Sequence, residues 1–498
     1  MKIALITPRN GSETEKSFYD YKFYSSFLFT KRYFSYLLAI PTLAALTPPG
    51  HEIKIFDENI GEIDYDWPAD IVGISVRTLY APRAYEIAAK WRSRGVKVVL
   101  GGIHVSMCPD EALQHCDALV TGEAEKVWAQ LLKDAEAGEL KRTYRGEGLF
   151  DVTQTKLPGR NFLDRQMYFS DIIQTTKGCP FHCEFCSVYA YDGTKIRSKT
   201  VEQVVAEVKD VCGTTSAFNK KKSIFFADDN IIANRKFAKE LFTALKPYNL
   251  NWSCQASINV SQDEEMLRLM KESGCGAILI GLESVSEKNL AQMEKGVNLR
   301  HNYVDAIKKI HSHGILVHSS FIVGYDFDTE ESFDELARFI DEADLLMPIV
   351  NILTPFPGTK LFTRFEKEGR ILHKDWGRFD AKTVVFKPAL LTPEQLFQGY
   401  KRVLRKIYSF DKIYAKLQHY WDIDFWKRSN EIDPIKFKYR LLFAARIFSL
   451  IFSTNFSRTK FILKILPKVF HPRVRVSTIL TLMAYNDYAY TYGMEGQR

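Results

Sequence analysis

Thr175-Thr176-Lys177-Gly178-Cys179-Pro180-Phe181-His182-Cys183-Glu184-Phe185-Cys186 is the stretch on which the reading turns, because its cysteines stand in a C-x-x-x-C-x-x-C spacing. The preceding run, Met167 to Gln174, is short, apolar and β-branched and reads as a strand, so the thiols fall on a tight loop at a strand's end. Three thiolates there can converge on one metal centre. Tetrahedral zinc takes four protein ligands, and no second close cysteine pair exists to complete such a site. A [4Fe–4S] cube held by Cys179, Cys183 and Cys186 suits the loop better, since its fourth iron keeps an open position for an exogenous molecule. A structural metal loop is the competing reading.

Around this loop the chain has 498 residues, which at ~100–200 per domain calls for two or three domains. It is 46% hydrophobic and 26% charged, a globular composition without low-complexity tracts or repeats. The other five cysteines are scattered singly, as in a reducing compartment. The N-terminal apolar run breaks at Pro8, too early for a signal peptide, and no apolar run reaches ~18 residues. A cytoplasmic protein is expected.

Upstream, in residues 1–150, Lys2 to Thr7, Ile53 to Asp57, Ile71 to Ser75 and Val96 to Gly102 are β-branched runs separated by helix-length segments such as Ala81 to Arg94. This is the pattern of an α/β, doubly wound, Rossmann-like sheet, which binds ligands at the C-terminal ends of its strands. Those ends carry Asp57 and Asn59, Ser75 to Thr78, and Gly101-Gly102, and a further loop holds Gly122 and Glu123, a set able to seat a large cofactor. His104 and His115 lie near these loops and are assigned no role. The aromatic insert from Phe18 to Tyr36 reads either as domain packing or as a wall of a hydrophobic substrate cavity.

Downstream, residues 165–385 alternate helices with strands at Ser223, Trp252, Ala277, Val317 and Ile349, six βα units with the strand before the cysteines. Polar residues gather where βα barrels carry their active sites: Asp228-Asp229, Gln255, Ser257, Gly281-Leu282-Glu283-Ser284 and Gly324-Tyr325-Asp326. Taken singly, an Asp-Asp pair after a strand is a turn or a helix cap. Residues 386–498 read as a mainly helical domain, starting with Thr392 as N-cap and Pro393 at the first helical position. Between Lys436 and Arg475 stand ten Lys/Arg and no Asp/Glu, interleaved with Phe and Tyr. Such a segment suits peripheral contact with an anionic membrane at its inner face better than nucleic acid, and an ordinary solvated basic face is the bland alternative.

The cysteine spacing, with Phe185 just before the last cysteine, resembles the cluster loop of the radical S-adenosylmethionine (SAM) enzymes. The order Gly-Ile-Ser, Gly-Gly, Gly-Glu-Ala-Glu resembles the cobalamin-binding domain that precedes many radical SAM barrels. The resemblance implies a central partial (βα)6 barrel and three cofactors: a [4Fe–4S] cluster, SAM and cobalamin. It places Asp228 and Asp229 at the SAM ammonium, Glu283 and Ser284 near its ribose and carboxylate, Gln255 and Ser257 at the third strand's end, and Gly324 beside the adenine. The Asp-x-His-x-x-Gly signature that gives cobalt a histidine is absent, since none of the 11 histidines follows an Asp by two positions. The resemblance further implies a reductant such as flavodoxin or ferredoxin and methylation of an unactivated carbon, and the C-terminal part is similar to that of members acting on membrane lipids. Rival functions are a radical SAM oxidoreductase or cyclase without methyl transfer, and an iron–sulfur sensor or binding module.

Overall fold

The computed structural model describes residues 1–9, 33–212, 223–422 and 456–469, with 445 and 448. Six strands, β1 (Lys2–Thr7), β2 (Glu52–Asp57), β3 (Ile71–Ser75), β4 (Lys97–Gly101), β5 (Ala118–Gly122) and β6 (Thr143–Gly146), form one parallel sheet in the order β2-β1-β3-β4-β5-β6. The order reverses between β1 and β3, so crossovers cover both faces. Along β1, Ala4 and Ile6 join a core with Trp91 and Ala84, while Ile3 and Leu5 join Trp128 and Leu131 on the other side. A near-continuous apolar strand is what a sheet buried on both faces requires. β5 and β6 go beyond the four runs read from the sequence: Ala118-Leu119-Val120 is very short, and edge strand β6 buries only Tyr144. Gly122, taken above as loop, ends β5.

The second sheet comprises β7 (Ser170–Ile173), β10 (Ser223–Phe226), β11 (Trp252–Gln255), β12 (Cys275–Glu283), β13 (Leu316–Val323) and β14 (Ile349–Ile352), all parallel in the order β14-β13-β12-β11-β10-β7. Six strands leave the βα barrel open. Ile278, Ile280 and Leu282 point outward into the helix-packed core, and the residues between them face the lumen. Between β7 and β10 a small antiparallel hairpin, β8 (Thr176–Lys177) and β9 (Arg197–Ser198), carries the cysteine loop.

Helix 393–407 starts with the expected Thr392 cap, reinforced by Gln395 in a capping box, and buries Leu396, Tyr400 and Val403 in the barrel's own core. Helices 410–422 and 456–469 follow. The two sheets meet through Tyr33, Tyr36 and Tyr168, with the Tyr168 hydroxyl donating to Asp57 at 2.8 Å. Tyr33 and Tyr36 thus serve packing; Phe18 to Phe29 and most of the stretch from Lys436 to Arg475 lie outside the described residues. Arg160, fully buried in the connecting segment, donates to the Tyr36 hydroxyl, to the Ile172 carbonyl and to Glu207.

Candidate active site

The cysteine loop is anchored at its start by Asp228, at the end of β10. This fully buried carboxylate accepts from the Thr175 amide (3.1 Å), the Thr175 hydroxyl (2.8 Å), the Thr176 hydroxyl (2.6 Å) and the Thr176 amide. Burial pushes its pKa up, and these donors pull against that. These bonds converge on Oδ1, with the Thr175 amide also 3.2 Å from Oδ2, so Asp228 holds the start of the loop in place. The loop's far end is tied by Glu184, which accepts from Arg364 at 2.5 Å and from the Tyr325 hydroxyl at 3.1 Å, while Arg364 also holds Asp326 at 2.6 Å. The loop is thereby fixed to the ends of β10 and β13.

Cys183 is buried, and Cys179 and Cys186 are half-buried. Burial pushes all three thiols up, Cys186 to about 12, and the Lys295 ammonium acts against it in each case. Metal binding would therefore displace protons. Among the described residues no three His, Cys, Asp or Glu side chains are grouped to hold a metal ion, so the three thiols share one loop without being drawn together as a ligand set.

Two groups beside the loop match the ends of an amino acid. Asp229 has a buried carboxylate oxygen without a hydrogen-bond partner, and burial with the charges of Asp192 and Asp228 pushes its pKa up to about 7. An ammonium would satisfy it. Lys295, absent from the sequence reading, lies near all three cysteines, with its Nζ 3.1 Å from Glu283 and 5.9 Å from the Phe185 ring centre. Glu283 has φ +66°, left-handed for a non-glycine residue, at a register shift between Gly281 and Glu283. Such outliers persist where the surroundings hold them, often at functional sites. A lone Lys twelve positions after Glu283 gives no periodic or motif signal.

The other expected SAM contacts divide. Gln255 ends β11 facing the lumen, whereas the Ser257 hydroxyl is bracketed between Asn230 and Asn259. Ser284 accepts from the Ser286 amide in a turn, and the Gly281 carbonyl accepts from Asn298. At Gly324, φ is +101° and an added Cβ would lie 2.8 Å from Leu396 and 3.2 Å from Phe386. The side on which a Cβ would project is taken by Leu396 of the C-terminal helix and by Phe386.

A cleft of about 250 Å³ joins the two sheets. Gly73, Val99, Val120 and Trp128 form an apolar slot, Ser75, Gly101, Gly102, Gly122 and Glu123 its N-terminal rim, and Thr175 to Lys177, Tyr191 and Asp192 the barrel side. Gly101 has only ordinary contacts for a Cβ, so a side chain there would enter the slot; Gly102, at φ +100°, would press a Cβ to 2.8 Å from the Val76 carbonyl. Asp57, Asn59 and Thr78, expected here, are not in the lining. Asp57 accepts from Tyr168 and from Asn59, its pKa raised by burial. Glu123 is claimed by barrel cations, Lys177 at 2.9 Å and Arg197 at 2.8 Å, and also accepts from the Phe150 amide. The flat apolar slot with an open glycine rim fits the aromatic tail and ring edge of a corrinoid.

Residues 44–132 match the B12 binding domain, residues 173–340 the radical SAM superfamily, and residues 359–495 a domain of unknown function, DUF4070. The chain is 33% identical over 381 residues to bacteriochlorophyllide d C-8(2)-methyltransferase of Chlorobaculum tepidum, spanning 72% of this chain and 82% of that protein. It is 31% identical over 348 residues to hopanoid C-2 methylase of Rhodopseudomonas palustris, spanning 67% and 64%. Its fold is similar to the solved structure of the cobalamin-dependent SAM radical enzyme OxsB with aqua-cobalamin and SAM bound, at TM-score 0.64 and 14% identity over 98% of this chain and 79% of that one. It is also similar to TsrM from Kitasatospora setae with cobalamin and a [4Fe-4S] cluster bound, at TM-score 0.60 and 15% identity over 94% and 99%. With both profiles in this order and a curated methyltransferase matched over most of its length, the chain belongs to the cobalamin-dependent radical SAM family, enzymes served by a [4Fe–4S] cluster, SAM and cobalamin.

Proposed function

We infer that the chain transfers a methyl group to an unactivated carbon of a large hydrophobic substrate, of the lipid-like or tetrapyrrole kind on which its named relatives act. The observation that carries the reading is the shared cleft: the hairpin holding the cysteine loop forms one wall of the slot lined by the N-terminal glycines. When bound, the cluster supplies the electron that cleaves SAM, and the corrinoid carries the methyl group. The chain's own residues do the placing. Asp229 holds the SAM ammonium and Lys295 its carboxylate, while Asp228 and Glu184 keep the cysteine loop in register with both. Lys177 and Arg197, latched to Glu123, hold the two cofactor walls together. Among the described residues no helix is long and apolar enough to cross a membrane; the basic C-terminal stretch supports peripheral contact with an anionic surface from which a lipid-like substrate is drawn.

The test is anaerobic reconstitution, a visible spectrum, corrinoid extraction, and turnover with methyl-labelled SAM over lipid and tetrapyrrole extracts. Label entering an extracted substrate together with 5′-deoxyadenosine supports the reading. Protein that binds cluster and SAM but no corrinoid would overturn methyl transfer in favour of a cyclase or oxidoreductase.

A further inference from the structure

Inside the barrel one row of polar side chains is left without partners. Along β13, Val317, Phe321 and Val323 enter the helix-packed core, so His318, Ser320 and Ile322 face the lumen. His318 is in register with Leu279 of β12, and Leu279 with Gln255 at the end of β11. One residue below this row, Ile173 of β7 is in register with Phe226, and Phe226 with Cys254. Gln174, which follows Ile173, therefore continues the upper row, and it lines the interdomain cleft. The side chains of Gln174, Gln255 and His318 are half-buried, and none of them hydrogen-bonds to any of the described residues. Polar groups so placed cost free energy until something pairs with them. Burial alone pushes the His318 pKa down to about 4, so the imidazole is neutral. Around the row the lumen is apolar at Leu279, Ile322 and Phe225, the last meeting Phe34 edge-on with ring centres 6.4 Å apart, while Ser320 accepts from Asn351 at 3.4 Å.

A neutral imidazole offers one donor and one acceptor, and a primary amide offers both. A carboxylate brought between them would find no cation, and a carbonyl has nothing to donate to the free imidazole nitrogen. A hydroxyl donates to one partner and accepts from the other. Two strand spacings, about 10 Å along the sheet, separate Gln255 from His318, and the closing curve of the barrel shortens that distance on the lumen side. We propose that Gln255 and His318 recognise a hydroxyl of the hydrophobic substrate, so that the methyl acceptor is an alcohol whose oxygen enters the lumen while its reacting carbon stays at the cleft beside Gln174. The inference rests on the methyl-transfer reading and adds the functional group that orients the substrate. Gln255, expected to meet SAM, is by this inference a substrate contact. A site built around a hydroxyl rejects an analogue that lacks it, because its own polar groups then stay unpaired.

The experiment uses the reconstituted holoenzyme with methyl-labelled SAM and the lipid and tetrapyrrole extracts, each taken untreated, with its hydroxyls acetylated, or with its carboxyls methylated. Wild type is expected to label the untreated and carboxyl-methylated extracts alike and the acetylated one about tenfold less. His318→Ala should raise the amount of untreated extract needed for half-maximal labelling about tenfold, and His318→Gln, which keeps a neutral donor and acceptor, should restore it. Cluster and corrinoid absorbance and SAM binding by equilibrium dialysis should match wild type in both variants. Full labelling of the acetylated extract would overturn the proposal, as would loss of labelling on carboxyl methylation or unchanged half-saturation in His318→Ala. A parallel loss of cofactor binding in His318→Ala would overturn it too, by making the imidazole a structural group. Wild type that labels neither extract would instead overturn the methyl-transfer reading itself.

Discussion

On the barrel side of the cleft, function is carried by sulfur and by charge. Three thiols lie beside the Lys295 ammonium, Asp228 gathers its donors on one oxygen, and Asp229 is left with an oxygen to fill. On the N-terminal side it is carried by what is missing: Gly73, Gly101, Gly102 and Gly122 leave a slot between Val99, Val120 and Trp128, and the acids at its rim, Glu123 and Glu125, are turned to cations of the other domain. The first half holds small ions and polar groups by specific pairing, and the second holds a large flat body by shape. Substitutions on the two sides should therefore fail differently.

The widest separation is expected from Cys183→Ala against Gly101→Leu. The first removes a cluster ligand, so iron and sulfide analysis should find the cluster gone and 5′-deoxyadenosine formation abolished, whereas exposed Cys212→Ala should change neither. The second fills the slot from a position with only ordinary Cβ contacts. Corrinoid absorbance should vanish while the cluster and SAM cleavage persist. Loss of the cluster in Gly101→Leu would show that the two walls do not fail separately. Gly102→Val is the wrong tool, because its Cβ would meet the Val76 backbone and unsettle the sheet itself.

Next comes Asp228→Ala, which removes the acceptor of the Thr175 and Thr176 amides and hydroxyls. Leaving buried donors unpaired costs about 2–4 kcal/mol, seen as a lower thermal midpoint and slower cluster loading with corrinoid affinity unchanged. A variant as stable as wild type, yet with weaker SAM binding, would return Asp228 to the ammonium role.

These contrasts also explain what was legible in the chain. The cysteine loop reads directly because metal ligation needs one residue type at fixed spacing, and both sheets read from β-branched runs because burial on two faces leaves little choice of side chain. Lys295, Arg364 and Arg197 did not read, since each acts through a partner remote in sequence, Arg364 with Glu184 across 180 positions. Asp228 and Glu123 were singled out as cofactor contacts, but a lone sequence does not tell whether a carboxylate serves a ligand or the scaffold. Gly324 makes the same point, for its missing Cβ makes room for Leu396 of a helix far along the chain.

Acid should probe the latch between the two walls. Burial raises the Glu123 pKa, but Lys177, the Phe150 amide and Arg197 outweigh it, so the folded value lies below the ordinary 4.5. A depressed carboxylate contributes stability that is present above the unfolded value and lost as pH falls through the folded one. The interface should hold from pH 8 down to about 4.5 and loosen below it. Glu123→Gln should loosen it at neutral pH by about 3 kcal/mol, since Arg197 is left buried without that partner. Limited proteolysis of the β8–β9 hairpin against pH measures both; a hairpin equally protected in the variant would mean that the aromatic contacts around Tyr168 join the walls unaided.

The smallest effect is expected outside both walls, on the helix spanning 456–469. Phe461, Ile462 and Ile465 are buried in the barrel core, which leaves Lys460 and half-exposed Leu463 on the outer face, while the Lys464 ammonium sits 4.9 Å from the Tyr414 ring centre. Lys460→Glu is thus the cleaner probe, because it disturbs no packing recorded for that helix. One basic residue near an anionic bilayer contributes on the order of 1 kcal/mol, so sedimentation with anionic vesicles should weaken about fivefold and wild-type binding should fall with added salt. Neutral vesicles should bind neither protein. Equal recovery of both proteins on anionic vesicles would leave this face merely solvated and would shift the substrate toward a soluble tetrapyrrole, which a cleft built for shape accepts as readily as a lipid.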